Sequence, residues 1–190
     1  VRAALVAAGL ATLLALAGCK DSPSASGGAS SSAAAKSVSI ATIEQQAKGF
    51  NVGAAMSARV VYVFFDPQCP HCAALWNSAK PLKSQARFVW IPVAVLNGNS
   101  LAQGAALLAA PDPVAAMDSH EQLMAEKRGG IVPAGNVDAQ KEAVTRNTKM
   151  LDGFGIASVP TLVMKQGDGA RVQEGAMPTD ALARWIGAQP

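Results

Sequence analysis

Two cysteines separated by two residues, in Cys69-Pro70-His71-Cys72, are the part of this sequence best equipped to do chemistry. Thiols three positions apart at the start of a helix are neighbours, with about 5–6 Å between Cβ atoms, and a modest adjustment joins their sulfurs as a disulfide. The first thiol then sits among unpaired backbone N–H groups at the positive end of the helix dipole. There its thiolate, the nucleophilic form, is stabilised. Cys72 lies a turn inward and suits the resolving role. His71, when protonated, places a cation beside Cys69. Two other uses of the pair fail on ligand count. Zinc needs a second ligand pair, and three Cys and two His in the whole chain supply no second Cys pair. A c-type haem needs His directly after the second Cys, where Ala73 stands. A purely structural disulfide remains open.

Positioning such a pair requires a strand to deliver it and a helix to open on it. Val60–Phe65 is an unbroken β-branched and aromatic run, as in a strand buried on both faces, and Asp66-Pro67 ends it. Cys69-Pro70 opens a helix with Pro in the first turn, where its missing N–H costs nothing. That helix runs through Leu75 and Trp76, and Pro81 ends or kinks it. Phe88–Val95 reads as a second strand, and Pro92 inside it predicts an edge or a bulge. Residues 40–50 are a short amphipathic helix or an irregular lead-in. Ser100 to Arg128 is helical in pattern, interrupted by Pro111 and Pro113. A helix from Asp138, its expected N-cap, runs to Leu151 and ends at Gly153. Val159–Met164, the turn Gly167-Asp168-Gly169 and Arg171–Gln173 predict a hairpin. Thr179 or Asp180 caps a last helix reaching Gly187. The order predicts an α/β domain with a central mixed sheet flanked by helices and a helical insertion. Trp76, Trp90 and Trp185 read as core or groove packing, Met117, Met124 and Met150 as core filler, and His120 as a surface helix residue.

The stretch Phe64-Phe65-Asp66-Pro67-Gln68-Cys69-Pro70-His71-Cys72 resembles the active site of the bacterial disulfide isomerases, the DsbC/DsbG branch of thioredoxin-fold proteins. The similarity continues through Ile91-Pro92-Val93, Ser100-Leu101-Ala102, Asn147 to Gly155, Pro160 and Gly175. The resemblance implies a thioredoxin-like fold and thiol–disulfide exchange on exported proteins, with Cys69 as nucleophile and Cys72 resolving. It also implies that Pro160 is a cis-proline facing the dithiol, and that Val159 offers its backbone to an extended substrate. No cofactor is expected, because the redox group is the Cys69–Cys72 disulfide itself. Three features depart from the pattern. That branch carries Thr before the cis-proline, whereas Val159 with Cys-Pro-His-Cys resembles the oxidase DsbA. A tether stands where the branch has its N-terminal dimerisation domain. Thioredoxin itself has a buried acid six residues before its nucleophile, where this chain has Val63. The direction of exchange stays open, and a lipid-anchored chaperone that keeps the fold without turnover is the reading from a different class.

Composition narrows the partners. Sixteen basic against thirteen acidic residues give a net charge of +3 with no basic stripe, which argues against nucleic acid. Near the N-terminus, Arg2 precedes an apolar stretch from Ala3 to Ala17. As a helix it spans roughly 22 Å, short of a ~30 Å bilayer core, so residues 1–18 read as an export signal. Leu16-Ala17-Gly18-Cys19 resembles the lipobox of bacterial lipoproteins, which implies lipidation of Cys19 and attachment to a membrane through lipid alone. Lys20, where that pattern places Asp for inner-membrane retention, favours the outer membrane. Residues 19–36 are Ser/Ala/Gly-rich and read as a flexible tether reaching roughly 20–25 Å. Residues 37–190 are the expected catalytic domain. Its expected partners are cysteine-containing exported proteins in the periplasm and a membrane redox protein that resets the dithiol.

Overall fold

The computed structural model describes residues 37–188; the expected export signal, Cys19 and the tether lie outside them. In chain order the elements are α1 (Ile40–Gln46), β1 (Phe50–Gly53), β2 (Val60–Phe65), α2 (Pro70–Ala79), β3 (Arg87–Pro92), α3 (Gly98–Ala109), α4 (Pro113–Ala125), α5 (Asp138–Gly153), β4 (Thr161–Gln166), β5 (Gly169–Glu174) and α6 (Thr179–Ile186). The five strands lie in the order β1-β3-β2-β4-β5. Only β2 and β3 run parallel, joined by the α2 crossover; the other neighbours are antiparallel. This is a mixed sheet with helices on both faces.

The central strand β2 serves two cores at once. Val61, Val63 and Phe65 pack with Trp76, Trp90, Leu162 and Leu182 on one face. Tyr62 and Phe64 pack with Ile43, Ile91, Leu151 and Val163 on the other. Phe64, Phe65, Leu162 and Leu151 are essentially inaccessible to solvent, each contributing ~1.5–3 kcal/mol of burial. Trp76 meets Trp90 edge to face at 4.9 Å between ring centroids, fixing α2 against the sheet below the dithiol.

Several local expectations change. Phe50–Gly53 is a strand that periodicity did not reveal, because four residues at an edge carry too little pattern. Pro92 is neither on an edge strand nor at a bulge. It ends β3 opposite Phe65, beyond Trp90, where the pairing with β1 stops, so no ladder donor is lost. The strand accordingly stops there instead of reaching Val95. The N-cap of α5 is Val137, without a side-chain bond; Asp138 is already helical, and its N–H donates to Asn136. Gly153 is the last helical residue, and Gly155, with φ +74°, makes the turn that follows. Neither Thr179 nor Asp180 caps α6: Pro178 holds that position, and the Thr179 hydroxyl donates to the Ser78 carbonyl instead, tying α6 to α2. The interruption expected at Pro111 and Pro113 is present: α3 ends at Ala109 and α4 begins at Pro113, with Asp112 as its N-cap accepting from the N–H groups of Val114 and Ala115.

Candidate active site

Cys69 is the N-cap of α2, in extended conformation, with Pro70 as the first helical residue. The Cys69 carbonyl accepts the first helical hydrogen bonds, from the N–H groups of Cys72 and Ala73 at 3.0 and 3.2 Å. Its side chain therefore faces the N–H groups that open the helix. Both cysteines are free thiols here; Cys69 is 7% exposed and Cys72 fully buried, while His71 is exposed.

The two thiols titrate in opposite directions. Cys69 is lowered from 9.0 to about 6, chiefly by the hydrogen bond from the Cys72 thiol. Burial opposes this, the N–H groups of Cys72 and His71 reinforce it, and the His71 charge is the smallest contribution. Cys72 is pushed far up, first by burial and then by its bond to Cys69. The outer sulfur is thus the readily ionised one, and the inner thiol keeps its proton.

The Val159–Pro160 peptide is cis. It brings the Val159 carbonyl within 3.5 Å of the Cys69 sulfur, although the two residues are 90 positions apart. Strand β4 begins at Thr161; the Pro160 carbonyl already accepts from the Gly175 N–H at 2.8 Å, whereas the Val159 N–H makes no hydrogen bond among the described residues.

A polar scaffold behind the dithiol is absent from the sequence reading. Asp66 is fully buried, and its carboxylate accepts four hydrogen bonds: from the N–H groups of Gln68, Val95 and Leu96 and from the Ser100 hydroxyl. Gln68 also donates to Gln103, whose own amide donates to the Gly129 carbonyl. His120 is not a surface residue. It is fully buried, with Nε2 2.7 Å from the Pro67 carbonyl and Nδ1 accepting from the Ile131 N–H. Those partners fix the Nε2–H tautomer, and burial holds the imidazole below its ordinary range. Residues 66–68, which deliver Cys69, are thus gripped by α3 and α4. Asn147 likewise ties α5 to the Lys48 backbone and to the Pro92 carbonyl.

Val63, where thioredoxin has its acid, is buried in the core. An acid reaches the site from the insertion instead. Glu121 on α4 lines a cavity of about 260 Å³ together with Cys69 and Pro70. Burial, then the Cys69 charge, raises Glu121 to about 7. Met124 lines the same cavity and contacts the Gln68 amide through its sulfur, whereas Met117 is core. No sequence signal marks Glu121; it falls in an amphipathic helix among other polar residues. Asp66 carries one signal, its place between the strand it ends and the Cys-x-x-Cys.

Among the described residues no helix is long and apolar enough to cross a membrane. The model of a family described as thioredoxin-like domain matches residues 50–190. The thiol:disulfide interchange protein DsbG of Pseudomonas aeruginosa is 34% identical over 141 residues, covering 71% of this chain and 54% of that protein. DsbG of Escherichia coli is 30% identical over 105 residues, covering 54% of this chain and 42% of that protein. The chain thus spans about half the length of the curated relatives it matches. Among solved structures, the catalytic domain of Proteus mirabilis ScsC superposes with a TM-score of 0.61 at 17% identity, covering 77% of this chain and 91% of that one. A disulfide interchange protein from Neisseria gonorrhoeae gives 0.55 at 25% identity, covering 73% and 93%.

Proposed function

Since the chain belongs to the thioredoxin-like domain family, we propose that it is a thiol–disulfide oxidoreductase acting on exported, cysteine-containing proteins. The observation that carries this reading is the asymmetry of the dithiol: an outer thiol lowered to about 6 at a helix start, over a buried thiol that keeps its proton. The Cys69 thiolate attacks one sulfur of a substrate disulfide, forming a mixed disulfide and releasing the other sulfur as a thiolate. Cys72 then attacks the Cys69 sulfur, and its proton passes to the departing substrate sulfur. The Cys69–Cys72 disulfide forms, and the substrate leaves as a thiol. Run in reverse, the same steps oxidise a substrate dithiol. The backbone N–H and carbonyl of Val159 offer an extended substrate a strand-like partner beside the reacting sulfurs. His71 lends a minor charge, and Pro70 starts the helix.

The Leu16-Ala17-Gly18-Cys19 motif supports export, cleavage before Cys19 and a lipid anchor, with residues 19–36 as the tether to a periplasmic catalytic domain. The DsbG names of the relatives support the periplasm and exchange on protein substrates; a membrane redox partner would reset the dithiol. Insulin reduction and oxidative refolding of a reduced protein, run side by side, test the chemistry and give its direction. Both activities vanish in Cys69→Ser, and a mixed disulfide accumulates in Cys72→Ser. Turnover persisting in Cys69→Ser overturns the proposal. Cys19→Ser releases the protein from membranes if the anchor is correct.

A further inference from the structure

Sequence places Glu121 in the middle of α4, and the fold brings it to the wall of the cavity beside Cys69. Pro67, Pro70, Ala73 and Met124 supply most of the rest of that wall, so the lining is largely apolar. Glu121 is half-buried, and its carboxylate makes no hydrogen bond or salt bridge among the described residues. The other groups whose charges reach it are Cys69 at the start of α2, Lys80 at its end and Asp118 one turn earlier on α4. Lys80 is committed to Asp118 at 2.7 Å, and those two charges cancel locally. What remains around the cavity is the Glu121 carboxylate and, once ionised, the Cys69 thiolate. Both are anions facing a space with apolar walls and no cation in it.

We infer that this cavity is a subsite for a lysine or arginine side chain flanking the substrate cysteine, with Glu121 as its counter-ion. The inference rests on the exchange reading and deepens it by naming a substrate class. A long basic side chain suits such a place because its aliphatic stem lies on apolar surface while its charged end reaches a polar partner. The volume, about 260 Å³, accommodates one side chain and not a segment of chain. A norleucine of the same length fills the walls but leaves Glu121 without a partner, and a glutamate adds a third anion. The preference has a pH signature. Glu121 titrates at about 7, so its charge, and with it the selection for a cation, grows as pH rises through that value. Cys69 titration is common to every peptide and cancels in a ratio of rates.

The test uses the reduced full chain and the symmetric disulfides of acetyl-Gly-Cys-Xaa-Gly-amide and acetyl-Gly-Xaa-Cys-Gly-amide, with Xaa as Lys, norleucine or Glu. Acid quenching and mass spectrometry follow the loss of reduced Cys69, and 2-hydroxyethyl disulfide serves as the uncharged reference. At pH 8, in one of the two series, the Lys peptide reacts about tenfold faster than the norleucine peptide, the worth of one charge-assisted hydrogen bond, and the Glu peptide is slowest. At pH 6 the Lys-to-norleucine ratio falls towards one. Glu121→Gln removes the ratio at both pH values, and Glu121→Lys inverts the order so that the Glu peptide leads. A ratio that is the same in Glu121→Gln as in wild type, or equal rates in both series, overturns the subsite while 2-hydroxyethyl disulfide still reacts. Failure of the reference and of every peptide overturns the exchange reading, and the subsite with it.

Discussion

Replacing Cys72 by alanine tests what holds Cys69 ionised. The Cys72 thiol is the largest influence, burial opposes ionisation, two backbone N–H groups favour it, and the His71 charge adds least; together they bring Cys69 from 9.0 to about 6. At pH 7 a thiol titrating near 6 is ~90% thiolate, and one titrating near 9 is ~1% thiolate. The difference stabilises the reduced protein by about 1.4 kcal/mol, which raises the potential by ~30 mV for a two-electron couple. Cys72 keeps its proton throughout the accessible range, so reduction takes up two protons below about pH 6 and one above it. The potential of the wild type therefore falls by ~59 mV per pH unit on the acid side of that point and by ~30 mV beyond it. Thiolate absorbance at 240 nm gives the Cys69 titration, and equilibration with glutathione gives the potential. In Cys72→Ala the titration of Cys69 moves up by about one pH unit or more. Cys72→Ser keeps a donor and moves it less, and His71→Ala moves it least. A Cys69 titration unchanged in Cys72→Ala, a larger rise in His71→Ala, or a potential without a change of slope below pH 8 refutes the reasoning.

Asp66→Asn replaces a carboxylate that accepts four hydrogen bonds by an amide that accepts at one end only, leaving buried donors unpaired. Urea unfolding of the reduced protein then shows a loss of about 2–4 kcal/mol with an unchanged m-value. His120 is buried as the neutral imidazole and held below its ordinary 6.5, so its contribution is complete above that value and is lost as pH falls below it. Urea midpoints at pH 7.5 and 5.5 therefore differ more in the wild type than in His120→Gln. Gly130 has φ +86°, and a Cβ there would lie 2.5 Å from Cε1 of His120. Gly130→Ala costs about 1–3 kcal/mol in the same unfolding assay.

The parts of the fold legible in the sequence are those governed by local pattern. Val60–Phe65 declares a strand buried on both faces through six consecutive large apolar residues, and Cys69-Pro70 declares a helix start. Gly167-Asp168-Gly169 declares the hairpin between β4 and β5. What stayed hidden depends on partners distant in sequence. His120 has the neighbours of a solvent-facing residue, Ser119 and Glu121, and only the docking of α4 against Pro67 and Ile131 buries it. Asp66 reads as a turn former because its four donors come from positions 68, 95, 96 and 100. Val63 correctly marked the absence of an acid on β2, but nothing local announced that α4 would supply Glu121. The roles of Asp138 and Thr179 were misjudged because capping turns on backbone angles that residue type alone does not set.

Between β3 and β4 the chain detours through α3, α4 and α5, and three side chains of that detour, Ser100, Gln103 and His120, reach back to residues 66–68. Those contacts span 34 to 53 positions of sequence, and contacts of that kind form late because loop closure must precede them. Helix α2 has ten residues, too few to persist alone in water. In a chain still folding, Cys69 is consequently an ordinary thiol of pKa ~8.5, only a few per cent ionised at neutral pH. The fold supplies what the isolated segment lacks, a formed α2 that holds the Cys72 thiol and two N–H groups against the Cys69 sulfur. The lowered titration of Cys69 is thus a property of the folded domain and not of the Cys-Pro-His-Cys sequence by itself.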